Sequence, residues 1–103
     1  MTPVSDVVTG LLGERAFARG VAVGRLARDW PRVVGERLAH ETRPARLEAG
    51  TLVVHAVSGP WGSQAQFLAE EIRKRANATL GTDQVQRVHV VVAPKLGGRP
   101  KSL

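Results

Sequence analysis

The chain has 103 residues and no cysteine, so we expect one domain and exclude disulfides, thiolate metal sites and cysteine catalysis. Lys and Arg number 15 against 9 Asp and Glu, for a net charge of +6. That balance favours contact with polyanions, of which nucleic acid is the commonest. No stretch has the length of apolar sequence that crosses a membrane, and residues 1–22 lack a secretion-signal pattern. We therefore expect an intracellular protein.

The first part of the chain, up to residue 40, predicts helices. Ser5 is a candidate N-cap ahead of an apolar helical face, and a second helix is expected over residues 16–28. Trp30-Pro31 interrupts the helical pattern, because proline disfavours helical geometry in the preceding residue and suits the first position of a new helix. A short helix is therefore predicted from Pro31 to Leu38.

Residues 43–58 predict a β-hairpin, because β-branched residues and a period of two flank a turn at Ala49-Gly50. The second strand of this hairpin is apolar on both faces, so we expect it to be central in its sheet. Arg43 and Arg46 are three positions apart, and on a regular strand they would face opposite sides.

A long helix is predicted to begin at Pro60 and to end at Gly81. Its apolar stripe comprises Trp61, Ala65, Leu68, Ile72, Ala76 and Leu80. Residues 85–92 predict the last strand. The order α-α-β-β-α-β predicts an α+β domain over residues 1–92, with helices packed on one face of a small three-stranded sheet. A flexible basic tail is expected over residues 93–103.

The sequence lacks the usual patterns for nucleotide or metal chemistry. Phosphate-binding loops of the forms G-x-x-x-x-G-K-[ST] and G-x-G-x-x-G are missing, and His40, His55 and His89 have no ligand spacing. We predict no enzyme, no catalytic residue, no cofactor, no metal site and no small-molecule substrate. Residues 59–62 form a literal G-x-x-G, with which KH domains clamp nucleic acid, but a turn with a buried aromatic is the favoured interpretation.

Four groups of cations are candidates for phosphate contacts, although a run of charge is most often a solvated face. They comprise Arg25, Arg28 and Arg32; Arg43 and Arg46; Arg73 and Lys74; and the tail residues Lys95, Arg99 and Lys101. The chain has few aromatic residues, which argues against base stacking as the main mode of binding. We expect weak, salt-sensitive and largely sequence-independent contacts with phosphates.

One ordered set of residues extends across most of the chain. It comprises Trp30 to His40 (WPRVVGERLAH), Thr42 and Pro44, the strand 50–54 (GTLVV), and Ser58 with Trp61 ahead of the long helix. In this order the residues resemble the DciA family of bacterial replicative-helicase loaders. The resemblance covers roughly residues 5–92.

The resemblance implies a KH-like domain that binds single-stranded and duplex DNA. It also implies that the protein assists loading of the DnaB-type replicative helicase onto single-stranded DNA during replication, without using ATP, in the bacterial cytoplasm and near the nucleoid. For the helicase contact we expect Phe17 and Phe67. Phe67 lies beside the apolar stripe, so it is either partly exposed or widens the buried face.

Family members often carry a longer extension beyond the KH-like domain, and such an extension can contact the helicase. Here a short tail follows the last predicted strand, so we expect the domain surface to supply that contact unless it has been lost. Two other functions stay open. One is a KH-like RNA-binding module, and the other is an interaction adaptor whose basic charge is incidental.

Overall fold

The structure, a computed structural model, describes residues 18–93. Residues 18–28 are helical (α1) and are followed by α2 (Trp30–Val34), α3 (Glu36–Glu41), β1 (Thr42–Glu48), β2 (Thr51–Ala56), α4 (Gly59–Phe67), α5 (Ala69–Leu80) and β3 (Arg87–Val92). This order confirms the predicted α+β arrangement, with both the short and the long predicted helices divided in two. Within the described residues no helix is long and apolar enough to span a membrane.

The three strands in the described part of the chain form one mixed sheet in the order β1-β2-β3, in which β2 is antiparallel to β1 and parallel to β3. The central place of β2 confirms the prediction made from its apolar faces. A turn at Ala49 and Gly50, both with positive φ, joins β1 to β2. The carbonyl of Gly50 accepts hydrogen bonds from the N–H groups of Gln86 and Arg87, which ties this turn to the start of β3.

The register of β1 shifts at Ala45, where one extra residue enters the strand. As a result Arg43 lies opposite His55, and Arg46 lies opposite Val53. His55 and Val53 are two positions apart on β2, so both arginines lie on the same face of the sheet. The expectation that they face opposite sides is therefore wrong, because it assumed a strand without a bulge.

All five helices within residues 18–93 contribute to one apolar core against the sheet. Its buried members are Ala22, Leu26, Trp30, Val33, Val34, Leu38, Leu47, Leu52, Val54, Ala65, Ile72, Ala76, Leu80, Val85 and Val88. Trp30 is only 3% exposed, and its indole Nε1 donates a hydrogen bond to Thr42 Oγ1 at 3.0 Å. That hydroxyl donates in turn to the carbonyl of Leu38 at 2.7 Å. The relay satisfies two buried polar groups and joins α2 to the start of β1.

Each divided helix is interrupted at one residue. Gly35 separates α2 from α3 with a φ of 97°, a conformation that glycine adopts without a steric penalty. Leu68, with φ −95° and ψ 13°, separates α4 from α5. Because Leu68 still packs against the core, the predicted apolar stripe continues across the junction.

Two side-chain amides take the place of main-chain partners around β3. Gln66 donates to the carbonyl of Val88 at 3.5 Å and accepts from the N–H of Val90 at 3.2 Å, as a neighbouring strand would. Asn77 makes the same pair of bonds with the N–H and the carbonyl of Val85, both at 2.9 Å. The first amide blunts an exposed sheet edge, and the second anchors the loop between α5 and β3.

We predict that Thr42→Val lowers the free energy of unfolding by about 1–3 kcal/mol, because it leaves the buried Trp30 N–H without an acceptor. Valine has nearly the same shape, so the packing volume is kept. The matched control is Thr51→Val, at a hydroxyl that accepts from Arg87 in an exposed position. Urea denaturation should show a change of no more than about 0.5 kcal/mol for the control. Equal effects of the two substitutions would contradict the role given to the relay.

Candidate nucleic-acid interface

The face of the sheet opposite the described helices carries a group of basic side chains. We call the residues Arg43, Arg46, His55, Arg87 and His89 the sheet face. Strand register brings them together, with Arg43 beside His55 and, one row along, Arg46 and His89 on either side of the same β2 residue. Arg43, Arg46, Arg87 and His89 are exposed, so this face presents positive charge to solvent.

Two of the three arginines of the sheet face contact neighbouring side chains. Arg87 donates to Thr51 Oγ1 at 3.0 Å, and Arg46 Nε lies 3.5 Å from a carboxylate oxygen of Glu48. Arg43 makes no ion pair with any residue in the range 18–93. An exposed ion pair contributes little in water, so a phosphate can compete with Glu48 for Arg46.

A groove of about 450 Å³ follows the outer edge of β1, where that strand meets the helices. Arg28 of α1, His40 of α3 and Arg43 of β1 line it, together with the carboxylate of Glu36. We call it the edge groove. Further along the same strand, Arg46 lines a smaller pocket with Arg19 and Glu48. Arginines of α1 and β1 therefore follow the outer edge of β1, and Arg43 and Arg46 continue onto the sheet face.

The predicted group Arg25, Arg28 and Arg32 is divided by the structure. Arg25 donates to the carbonyl of Thr79 at 3.0 Å, near the end of α5, where a cation stabilises unpaired carbonyls. Arg28 lines the edge groove, and Arg32 is exposed on α2. Of the three, Arg28 is the one that the fold brings together with the arginines of β1.

Arg73 and Lys74 lie on α5 and line neither the sheet face nor the edge groove. Arg73 Nε donates to a carboxylate oxygen of Glu70 at 3.0 Å, and this hydrogen bond lowers the pKa of Glu70 and raises the pKa of Arg73. Lys74 is exposed and lines a shallow pocket that also includes Asp83. The charge of α5 is therefore largely balanced locally.

The remaining predicted cations, Lys95, Arg99 and Lys101, lie outside the described residues, and so does Phe17. Phe67 is 83% exposed at the end of α4. The interpretation in which it widens the buried stripe is therefore wrong. An aromatic side chain this exposed is a candidate contact for a protein partner.

The G-x-x-G pattern forms the first turn of α4 rather than a loop between two helices. A Cβ added at Gly62 would lie 2.9 Å from a methyl group of Val92, so this glycine permits close approach of the helix to the sheet. At the junction of α4 with α5, Phe67 and Leu68 stand in place of a glycine loop, and the single Gly35 between α2 and α3 is not part of a G-x-x-G pattern. These positions favour a packing role over a backbone clamp. Among residues 18–93 no group of three or more His, Asp or Glu is placed to hold a metal ion.

Comparisons with known proteins find relatives of this chain. The sequence model of the family described as "Dna[CI] antecedent, DciA" matches residues 3–90. A UPF0232 protein of Streptomyces avermitilis is 34% identical over 85 residues, which cover 81% of this chain and 47% of the relative. A UPF0232 protein of Mycobacterium tuberculosis is 28% identical over 88 residues, with coverages of 85% and 47%. The chain thus spans about half the length of the curated relatives it matches.

Proposed function

The chain belongs to the DciA family, and from this we propose that it is a non-enzymatic accessory protein that helps to load a DnaB-type replicative helicase onto single-stranded DNA during DNA replication. The observation that carries the DNA-binding part is the shift of register at Ala45. It places Arg43 and Arg46 on one face, and Arg43 also lines the edge groove with Arg28.

DNA binding then depends mainly on arginine and phosphate. The planar guanidinium group pairs well with phosphate oxygens, and each contact releases counterions from the DNA. Arg32 and the tail cations Lys95, Arg99 and Lys101 add sequence-independent attraction. The same proposal holds that the domain is KH-like and that the protein acts at the nucleoid.

For the helicase we propose a contact through Phe67, with Phe17 as a second candidate. Large aromatic side chains dominate the binding energy of protein interfaces when a partner covers them. Phe67 is on α4, whereas the edge groove is lined by α1, α2, α3 and β1. The phosphate contacts of the edge groove and the helicase contact at Phe67 can therefore lie on different elements of one domain.

We predict that the wild-type protein increases unwinding of a forked duplex by its cognate helicase, with ATP supplied for the helicase. Phe67→Ala should lose this effect and the complex with helicase, while its affinity for single-stranded DNA stays within about twofold of the wild type, because no phosphate contact is removed. Ser63→Ala, at an exposed position on the same helix, is the matched control and should behave as the wild type.

Unchanged unwinding at saturating protein, with no complex between the two proteins, would contradict the loader function. The same preparation should be tested with single-stranded DNA, duplex DNA and RNA of one sequence. Phosphate groups are the same in DNA and RNA, so phosphate contacts alone do not distinguish them. A contact with the 2′-hydroxyl of RNA does. Tighter binding of RNA together with no helicase complex would replace the proposal by the RNA-binding alternative.

A further inference from the structure

A pocket of about 480 Å³ lies between α3 and α4. Its apolar lining comes from Val34, Leu38, Pro60, Trp61 and Leu68, and its polar side chains are Arg37 and Gln64. α3 separates this pocket from the edge groove, because Arg37 and Leu38 line one side while His40 lines the other. The pocket is therefore a close neighbour of the edge groove, although its own lining is mainly apolar.

The pocket brings together an indole ring, a guanidinium group and a side-chain amide. Trp61 packs partly against the core and leaves part of its indole at the cavity. The guanidinium carbon of Arg37 lies 5.8 Å from the centre of the indole ring. The side-chain amide of Gln64 makes no hydrogen bond within residues 18–93, so it has both a donor and an acceptor to offer.

We propose that this pocket binds one unpaired nucleobase of the DNA strand held in the edge groove, an inference that rests on the DNA binding proposed above. The face of the base stacks on Trp61, which works for every base because each has a π-face. The amide of Gln64 meets the hydrogen-bonding edge of the base. Arg37 moves from the indole to the phosphate of the bound nucleotide.

Two observations favour a nucleobase over an apolar side chain of a partner protein. The first is the unpaired amide at the pocket, which an aliphatic side chain would leave without a hydrogen bond. The second is the closeness of the edge groove. A helix is ~10 Å across, and about three nucleotides cover that distance at 3.4 Å each, so a strand in the groove reaches the pocket.

The pocket also gives the protein a means to prefer single strands. A base in a duplex is stacked and paired, and turning it out costs a few kcal/mol. Phosphate contacts in the edge groove are open to both forms of DNA, whereas the pocket accepts only a base that is already free. Stacking at this one site is compatible with binding that is otherwise led by phosphate contacts.

The test is a titration of tryptophan fluorescence in the full chain, with a thymidine oligonucleotide, an abasic oligomer of equal length and a duplex. Trp30 is 3% exposed, so we expect quenching of Trp61 by the thymidine strand and little by the other two. Trp61→Leu should weaken binding of the thymidine strand by about 5- to 150-fold. Its salt dependence should match the wild type, because no phosphate contact is lost.

Gln64→Ala is the second variant, since Gln64 is exposed and its replacement leaves the core intact. This variant should bind the thymidine strand several-fold more weakly than the wild type, and its affinity for the abasic oligomer should be unchanged. Equal affinity for both oligomers with no quenching would overturn the nucleobase site, while the proposed DNA binding would stand. Loss of helicase binding in Gln64→Ala with DNA affinity unchanged would assign the pocket to a protein partner instead. If the protein binds none of the oligomers, both the proposed DNA binding and this nucleobase site are contradicted.

Discussion

Ile72→Ala should lower the free energy of unfolding by about 2–5 kcal/mol, because it removes three carbons from a fully packed site and leaves a cavity. Ile72 is 1% exposed and lies in the first half of α5 within the shared core. Domains of this size have a total stability of only ~5–15 kcal/mol. The thermal midpoint should therefore fall by roughly 10 °C or more.

The control for this change is Glu71→Ala, one position earlier on the same helix. Glu71 is exposed, and its ion pair with Arg75 contributes little in water. Circular dichroism during heating and during urea titration measures both variants. A thermal midpoint of Ile72→Ala equal to that of the wild type would show that α5 does not supply the core with this side chain.

Hydrophobic periodicity predicted the helix and strand order, because burial of one face imposes a regular spacing on the sequence. It also placed Trp61, Leu68 and Ile72 on the core side of one long helix. It missed the division at Leu68, since the stripe keeps helical spacing on both sides of that residue. The interruption at Gly35 had a visible signal, a glycine inside a predicted helix, which favours a local break.

The candidate interface was predicted as separate residues but not as one surface. Arg28 and Arg43 are distant in sequence, and their meeting depends on how α1 packs beside β1. Arg43 and Arg46 share a face only because of the extra residue at Ala45. Pro44 was a sequence signal for this bulge, since proline within a strand is confined largely to edges and bulges.

The pocket between α3 and α4 had no sequence signal that distinguished it. Arg37 and Gln64 each read as an ordinary exposed residue of a helix. They become neighbours because Gly35 turns the chain into α3 and because Gly62 lets α4 lie close to the sheet. Trp61 was assigned to the core, and it does pack there, but part of the indole lines the pocket.

Replacing Arg28, Arg43 and Arg46 together by glutamine should weaken binding of single-stranded DNA on the order of 100-fold at 0.1 M salt. Each phosphate neutralised on a single strand contributes about 0.7 to the slope of log affinity against log salt concentration. If each arginine neutralises one phosphate, the slope should become shallower by about 2. The loss should be alike for all sequences, because these contacts read the backbone and not the bases.

A variant with Arg73, Lys74 and Arg75 all replaced by glutamine separates the edge groove from net charge. It removes the same number of positive charges, but from α5, where carboxylates pair with Arg73 and Arg75. Fluorescence anisotropy at several salt concentrations should give this control a slope close to that of the wild type. Equal losses in the two triple variants would mean that the whole basic molecule attracts DNA without a defined surface. A wild-type affinity that does not change with salt would contradict phosphate binding altogether.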